Sequence, residues 1–595
     1  TEVSMLHSET LDKDGNFTLD YLDFMGPMTD FQEIHYVLKG EGVETYTPHF
    51  AIFGFRYVLL KDYPGEAKPE NFTAIAVYSV MEETGSFSCS HSLINQLVEN
   101  ARWSQKGNFM EIPTDCPTRE RAGWTGDAQL YCRTASDLMH VYPFFEKWMA
   151  DLTLEQYPSG KVGNTVPDAM LHHNPQEAKR LSGKGSDLPG MEPTEEGSIM
   201  DGSAGWGDAS VIIPWTLYLC YGDKTILERQ YDSAKAWVDY MDRCAKDSNE
   251  NYKDTPAYHT RTGGELDADY IWDTRYHWGE WLEADRGPFG SENEESIQGF
   301  EMMKKMLAHR LKYSDPLVAT AYYAYSTRLF SEIAGILERT EDAATYLTRY
   351  KKIKAVYNRY FVKADGVIDT DRQAPNVRTL AFGLADSDTA KPVAARLARI
   401  VKEKSYHLNT GFLSTPFLLP VLVDSGYVDT AFRLLEQETA PSWLYAVSKG
   451  ATTIWEEWNG MAPDGSISSS LNHYSYGAVC DFLFAYVAGI RPVMDTPGYK
   501  AFLIKPLPGG SLTRAKGRYE SLYGTIESAW EINQDGIRYS FTVPPNTTAT
   551  VILPGTESNL SKIQKQFEDA CYQDGRIVFA VGSGRYETVI WDMKA

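Results

Sequence analysis

Apolar positions in the first part of the chain alternate over short runs. The runs 50–60 and 72–80 are rich in β-branched and aromatic residues, with turn signals at Asp14-Gly15 and Tyr63-Pro64-Gly65, the pattern of half-buried strands. They predict an N-terminal β-sandwich over residues 1–88. At Ser90 the period changes: Leu93, Ile94, Leu97 and Val98 fall at helical spacing. Helices are predicted over 92–107, 127–150, 208–221, 224–245, 296–312, 315–336, 340–361, 388–404, 411–424, 427–437 and 473–487. So many helices, with few strands between them and no fixed-period repeat, predict a closed all-α barrel over 89–490 rather than a solenoid. Two helix-poor connections, 157–205 and 247–295, interrupt it. The first is rich in Pro and Gly and the second carries Trp272, Trp278 and Trp281, and such long irregular stretches are usually functional. Beyond Pro492 strands return. The segments 525–532 and 537–543 flank Asp535-Gly536 as a hairpin, and 548–553, 577–580 and 586–590 follow. A C-terminal β-sandwich over 491–595 is predicted.

Composition narrows the partners. With 595 residues, 43% apolar and 23% charged, the chain can build large cores. Its net charge of −24 repels phosphate backbones and anionic headgroups, so nucleic acid and membrane surfaces are not expected partners. The longest apolar run, 209–219, is broken by Pro214 and is shorter than the roughly 20 residues a bilayer needs. The first residue is Thr1 and no basic-then-apolar leader follows, so a targeting peptide is removed or was never present; a periplasmic or secreted location is favoured over a cytoplasmic one. Seven scattered cysteines, none spaced as Cys-x-x-Cys, give neither a disulfide framework nor a zinc site. Four glycosylation sequons, at Asn16, Asn71, Asn546 and Asn559, are read as chance matches. No metal or cofactor is expected. Residues 1–90 hold 5 basic against 15 acidic side chains, whereas 491–595 hold 12 against 11. The acidity therefore lies in the first two regions.

The densest chemistry lies in Glu111-Ile-Pro-Thr-Asp115-Cys-Pro-Thr-Arg119-Glu120-Arg121-Ala-Gly-Trp124-Thr-Gly-Asp127-Ala-Gln129. Prolines and glycines keep its charges from lying along one solvated helix face, so they converge on a pocket. Taken singly, this segment also reads as a charged surface loop, with Asp127 as an N-cap. In Gly450-Ala-Thr-Thr-Ile-Trp455-Glu456-Glu457-Trp458 the two tryptophans are three apart and would share a helix face, with Glu456 between them in projection. Ser470-Leu-Asn472-His473-Tyr474, Gly205-Trp206-Gly207-Asp208 and Gly279-Glu280-Trp281-Leu282 complete the candidates. His473 alone reads as a capping or core histidine, and the tryptophans alone as core. Together these segments suit sugar chemistry. Glycoside hydrolysis needs one protonated carboxyl and one carboxylate, and a ring with hydroxyl groups is gripped by carboxylates and arginine and stacked on by aromatic faces. Asp115, Asp127 and Arg119 suit the grip; Trp124, Trp206, Trp281, Trp455 and Trp458 suit the stacking.

The string from Asp115 to Gln129 resembles the catalytic signature of family 78 glycoside hydrolases, the bacterial and fungal α-L-rhamnosidases. The likeness continues through Gly205-Trp-Gly-Asp208, Gly279-Glu-Trp-Leu282, Thr410-Gly-Phe-Leu413, Pro441-Ser-Trp-Leu-Tyr445, Ala451-Thr-Thr-Ile-Trp-Glu456 and Ser470-Leu-Asn-His-Tyr474, and upstream through Gly42-Val-Glu-Thr-Tyr-Thr-Pro-His-Phe50 and Gly54-Phe-Arg-Tyr57. The resemblance implies an (α/α)6 barrel flanked by β-sandwiches, and inverting hydrolysis of terminal α-L-rhamnosides in oligosaccharides, polysaccharides or glycosides. It implies Glu120 as general acid and Glu456 as general base, about 6.5–9.5 Å apart so that a water fits between them. Asp115, Arg119, Trp124 and Asp127 match sugar-binding positions, and Trp206, Trp281 and His473 other pocket positions; Trp455, beside the base, joins them. Two departures stand out. The further N-terminal β-domains of many members do not precede Thr1, so the chain is a fragment, a processed form or a short member. Glu280 stands where Asp is common. The alternatives are an inverting hydrolase for another sugar and a non-catalytic carbohydrate-binding protein. A carboxylate-lined pocket should prefer a neutral deoxy sugar. The aglycone and the oligomeric state are not legible.

Overall fold

The computed structural model describes all residues except 23–31, 169–196, 248–265, 286–304, 306–308, 311–313, 369–371, 463–464, 468 and 592–595. Most of the predicted helix over 296–312, all but 305, 309 and 310, and much of the two long connections therefore lie outside the described residues. The chain opens with a three-stranded antiparallel sheet in which Glu2–Ser8 runs between Glu33–Val37 and Tyr57–Lys61. Met5 faces Ile34 on one side and Leu60 on the other. Its own buried core is small: Leu6, Leu19 and Leu22.

Two strand expectations are corrected here. Of the run 50–60, only Tyr57–Lys61 forms a strand, and the run 72–80 forms none; Phe50, Phe72, Ile75, Val77 and Val80 are exposed. Alternating apolar residues make a strand only where another strand supplies a hydrogen-bond ladder and a surface to pack on. Among the described residues no such ladder reaches 72–80. Among the described residues the N-terminal region accordingly shows one sheet rather than two facing ones. The strand Gly85–Cys89 goes elsewhere, pairing antiparallel with Arg514–Ser521 so that Gly85 faces Tyr519. It thereby forms the edge of a C-terminal sheet.

The body between is helical. Thr125–Leu138 is buried on every side except at Arg133, and Ala209–Tyr221 nearly so, as expected of helices inside a bundle rather than on its surface. The two pack together; Ala209–Tyr221 also packs on Thr225–Lys246, and Pro316–Ile336 pairs with Thr340–Phe361. The expected single helix over 127–150 is two, Thr125–Leu138 and Tyr142–Glu155, with Pro143 in the first turn of the second. A proline ring blocks continuation from the preceding turn but suits a helix start. Segment 451–460 is not helical, so Trp455 and Trp458 share no helix face. No helix among the described residues is long and apolar enough to cross a membrane.

The predicted hairpin is present, with Trp530 opposite Tyr539. It belongs to a five-stranded sheet ordered Gly584–Trp591, Gly536–Val543, Gly524–Asn533, Arg514–Ser521, Gly85–Cys89. A second five-stranded sheet runs Cys571–Gln573, Arg576–Val581, Thr548–Pro554, Ala501–Ile504, Ile490–Pro492. One continuous apolar core joins the helical body to both C-terminal sheets and does not include Leu6, Leu19 or Leu22. The N-terminal sheet meets the helical body near residues 117–119 instead. Gln32 Nε2 donates to the Thr118 carbonyl, and a Cβ on Gly54 would lie 2.7 Å from the Pro117 ring.

Candidate active site

The signature segment folds into a tight loop ahead of the buried helix Thr125–Leu138. The Asp115 N–H donates to the Ala122 carbonyl at 3.0 Å, and Asp115 Oδ1 accepts from the Ala122 N–H at 3.0 Å, so the loop is closed at both ends by one residue. Arg121 takes a left-handed φ of 52° and donates through Nε to the Pro117 carbonyl at 2.9 Å. That conformation costs a non-glycine residue about 1–2 kcal/mol and persists only where its surroundings over-determine it. The glycines of the segment have steric reasons. A Cβ on Gly123 would run into the Val166 carbonyl, and one on Gly126 would lie 2.6 Å from the Trp206 ring. Trp206 therefore packs directly against the first turn of the helix that carries Asp127.

This loop brings Arg119 and Glu120 toward Glu456. Arg119 is ion-paired with Glu456 through Nη2 and Oε2, and both are buried. The Glu456 carboxylate also accepts from the Ser470 N–H at 2.9 Å. Burial pushes Glu456 up, but the charge of Arg119, the field of His473 and the Ser470 N–H outweigh it, and the carboxyl is held below its ordinary value of 4.5. Glu120 moves the opposite way. It is solvent-accessible, yet protein atoms hem in its carboxylate. Desolvation and then the charge of Glu456 raise it above 4.5, against the pull of Arg119 and the hydrogen bond from Trp124 Nε1 at 2.8 Å. Two glutamates with one neighbouring arginine are thus split into a proton holder and an ionised carboxylate, the division that acid/base chemistry needs.

Asp127 and His473 form a second pair. Asp127 Oδ1 accepts from Ser475 Oγ at 2.9 Å and lies 3.3 Å from His473 Nε2. Trp124 occupies the N-cap position of the helix, so Asp127 is a first-turn residue rather than the cap. Burial raises Asp127 to about 7 and lowers His473 to about 4. Burial therefore favours the neutral imidazole, and its 3.3 Å approach to Asp127 is a close polar contact rather than an ion pair. His473 Nδ1 is buried with no hydrogen-bond partner among the described residues, a polar atom available to a bound hydroxyl. Burial, followed by the charge of Glu120, raises Asp115 well above its ordinary value.

The aromatic wall centres on a residue that sequence reasoning left out of the site. Trp278 meets Trp124 edge-on at 5.5 Å between centroids, Trp281 edge-on at 5.3 Å and Trp206 tilted at 6.1 Å. Its segment is pinned from behind: the Trp281 carbonyl accepts from the Phe412 N–H at 2.8 Å, and Arg310 Nη1 donates to the His277 carbonyl at 3.0 Å. Glu280 points away into a buried ion pair with Arg378, and its carboxylate also accepts from the Gly411 N–H, the Ser414 N–H and the Ser414 hydroxyl. The longer Glu at this position serves that clamp. Trp455 stands apart from the wall, packed with Ala451 and Leu471. Trp458 stacks on Tyr476 at 3.7 Å and belongs to the main core.

A second residue absent from the candidates comes from the N-terminal sheet domain. Glu9 is buried beside this cluster, its Oε1 accepts from Ser470 Oγ at 3.4 Å, and its N–H donates to the Tyr21 hydroxyl at 2.9 Å. No group of three or more His, Cys, Asp or Glu among the described residues is arranged to hold a metal ion.

Known proteins are similar to this chain along nearly all of its length. Residues 82–487 match a family model described as the bacterial α-L-rhamnosidase six-hairpin glycosidase domain, residues 489–568 the C-terminal domain and residues 1–78 the concanavalin-like domain of the same proteins. An α-L-rhamnosidase of Streptomyces avermitilis is 33% identical over 99% of this chain and 50% of its own length; one of Formosa agariphila is 33% identical over 94% of this chain and 53% of its own. The crystal structure of the Streptomyces avermitilis enzyme complexed with L-rhamnose superposes with a TM-score of 0.79 at 32% identity, covering 99% of this chain and 49% of that one. The chain thus spans about half the length of the curated relatives it matches. On the match across residues 82–487, with the signature loop, the paired glutamates and the tryptophan wall on one helical body, the chain belongs to the bacterial α-L-rhamnosidase family.

Proposed function

We propose that this protein is an inverting α-L-rhamnosidase whose general acid is Glu120 and whose general base is Glu456. The observation that carries the reading is the opposite displacement of the two carboxyls across one arginine, with Glu120 raised and Glu456 lowered. Glu120 delivers its proton to the glycosidic oxygen as the C–O bond breaks. Glu456 takes a proton from the water that attacks the anomeric carbon from the opposite face, so an α-rhamnoside yields β-L-rhamnose. Afterwards Glu120 is ionised and Glu456 protonated, and solvent restores both.

Asp115, Arg119, Asp127 and the buried Nδ1 of His473 supply polar contacts to a ring, and Trp124, Trp206, Trp278 and Trp281 an apolar wall for its C–H face and methyl group. The many carboxylates around one buried guanidinium favour a neutral sugar over a uronic acid. The rhamnose named with the Streptomyces avermitilis structure, a relative at 32% identity, supports this substrate class. The reading includes an (α/α)6 barrel over 89–490, between β-domains over 1–88 and 491–595, with Gly85–Cys89 crossing to the C-terminal sheet.

The test is turnover of an α-L-rhamnoside with a poor, sugar or alkyl leaving group by wild type, Glu120→Gln and Glu456→Gln. General acid or base catalysis contributes about 10²- to 10⁴-fold, and each variant is expected to lose rate on that order while still binding L-rhamnose. Proton NMR of the first sugar released is expected to show the β anomer. Near-wild-type rates in both variants would overturn the assignment, and initial release of the α anomer would remove Glu456 from the base role.

A further inference from the structure

Three contacts tie the N-terminal β-domain to one small region of the catalytic signature. Gln32 Nε2 donates to the Thr118 carbonyl, Gly54 leaves room for the Pro117 ring, and Glu9 is buried beside Arg119 and Ser470. The first two dock a domain. The third does more, because a buried carboxyl is placed by the few polar groups it can reach, and those around Glu9 also hold Glu456. Ser470 bridges the two acids: its N–H donates to Glu456 Oε2 at 2.9 Å, and its hydroxyl is shared between Glu9 Oε1 at 3.4 Å and the Asn472 carbonyl at 3.2 Å. Arg119 is ion-paired with Glu456 and feels the charge of Glu9 as well.

We infer that Glu9 is a positioning residue of the active site: the N-terminal β-domain supplies a buried carboxyl group that, through Ser470 and beside Arg119, fixes where the base Glu456 sits. The inference rests on the proposed role of Glu456. The same serine that donates its N–H to Glu456 reaches Glu9 with its hydroxyl, so the segment that holds the base is also held from the N-terminal domain. Burial raises Glu9 to about 7, against Arg119, the Thr118 hydroxyl and the Leu471 backbone, while Glu456 adds to the rise and Tyr21 lies on its other side. Below that value Glu9 is uncharged, so it acts on Ser470 by hydrogen bonding and leaves the ion pair of Arg119 with Glu456 intact.

The experiment is kinetics of the whole chain on an aryl α-L-rhamnoside below pH 7, with wild type, Glu9→Ala, Glu9→Gln and Glu456→Gln. Glu9→Ala removes the group that Ser470 reaches and is expected to lower kcat about 10- to 100-fold, the scale of a misplaced catalytic group, with KM changed less than about threefold. Glu9→Gln keeps an uncharged acceptor of the same length and is expected to restore kcat to within about threefold of wild type, because Glu9 itself is uncharged in that range. If Glu9→Ala does not fold, Ser470→Ala removes the hydroxyl bridge but keeps the N–H on Glu456, and is expected to lower kcat in the same way. Wild-type kcat in Glu9→Ala, or equal losses in Glu9→Ala and Glu9→Gln, beside a large loss in Glu456→Gln, would overturn this inference and leave the base assignment standing. A wild type without turnover overturns both.

Discussion

Arg119 meets the charges of Glu456, Glu120 and Glu9, in that order of strength, and its position explains why chemically identical side chains acquire different roles. Glu456 sits in the ion pair and stays ionised; Glu120, kept from direct pairing and hydrogen-bonded to Trp124, feels the repulsion of Glu456 and keeps its proton. The pH dependence follows with definite signs. Glu456 works only when ionised, so the rate falls as pH drops through its value, which lies below 4.5. Glu120 works only when protonated, so the rate falls as pH rises through its value, which lies above 4.5. A bell-shaped kcat/KM is expected, its alkaline limb set by Glu120. On a nitrophenyl rhamnoside, whose leaving group departs without a proton, Glu120→Gln should keep the acidic limb and lose the alkaline one. Loss of the acidic limb in that variant would mean that the two roles are exchanged.

The elements around these residues are built so that backbone meets ring and carbonyl without intervening atoms. Gly126 is the clearest case, since the Trp206 indole occupies the space a methyl group would need. Gly126→Ala is expected to push Trp206 off the helix, to destabilise by about 1–3 kcal/mol as overpacking does, and to raise KM several-fold. Gly123→Ala should cost more, because the obstacle is the Val166 backbone carbonyl rather than a side chain that can rotate. Urea unfolding together with KM checks both, and an unchanged KM in Gly126→Ala would separate Trp206 from sugar binding. How far such elements are legible in the sequence depends on where their partners lie. The long helices 316–336 and 340–361 are legible because their periodicity is local, and the 525–543 hairpin because its turn joins neighbouring strands. The run 72–80 has a strand's composition but no ladder among the described residues, and Gly85–Cys89 finds its partner beyond residue 513. Asp115, Arg119, Glu120 and Asp127 are legible through their density in one segment. Glu9 carries no local signal: Ser8-Glu9-Thr10 is an ordinary surface string until Ser470 reaches it from across the chain. Trp278 is not legible as a site residue because its role is to join three other tryptophans, which is a property of packing rather than of spacing.

At the scale of the molecule, one large core and three small satellites among the described residues divide the stability unequally. The continuous core ties the helical body to both C-terminal sheets, and Trp530 fastens the junction, buried and donating through Nε1 to the Val487 carbonyl at 2.9 Å. Those parts should unfold together. Among the described residues the N-terminal sheet relies on the cluster of Leu6, Leu19 and Leu22, on the buried Val3 and Ile34 and on its contacts at 117–119, and so small a described core marks a region that opens at lower free energy than the rest. Glu9 belongs to that weaker region while the base it positions belongs to the stronger one. Catalysis should therefore be lost before the body melts. The chain offers a direct reading, because residues 1–102 contain no tryptophan and all 14 lie in the helical body and C-terminal sheets. In a urea titration, aryl rhamnosidase activity is expected to disappear at a lower concentration than the one that shifts tryptophan fluorescence. Hydrogen exchange in 2–8 should rise along with the loss of activity. Coincident transitions would mean that the N-terminal sheet is as firmly held as the core, and that its small hydrophobic cluster understates how tightly the signature loop grips it.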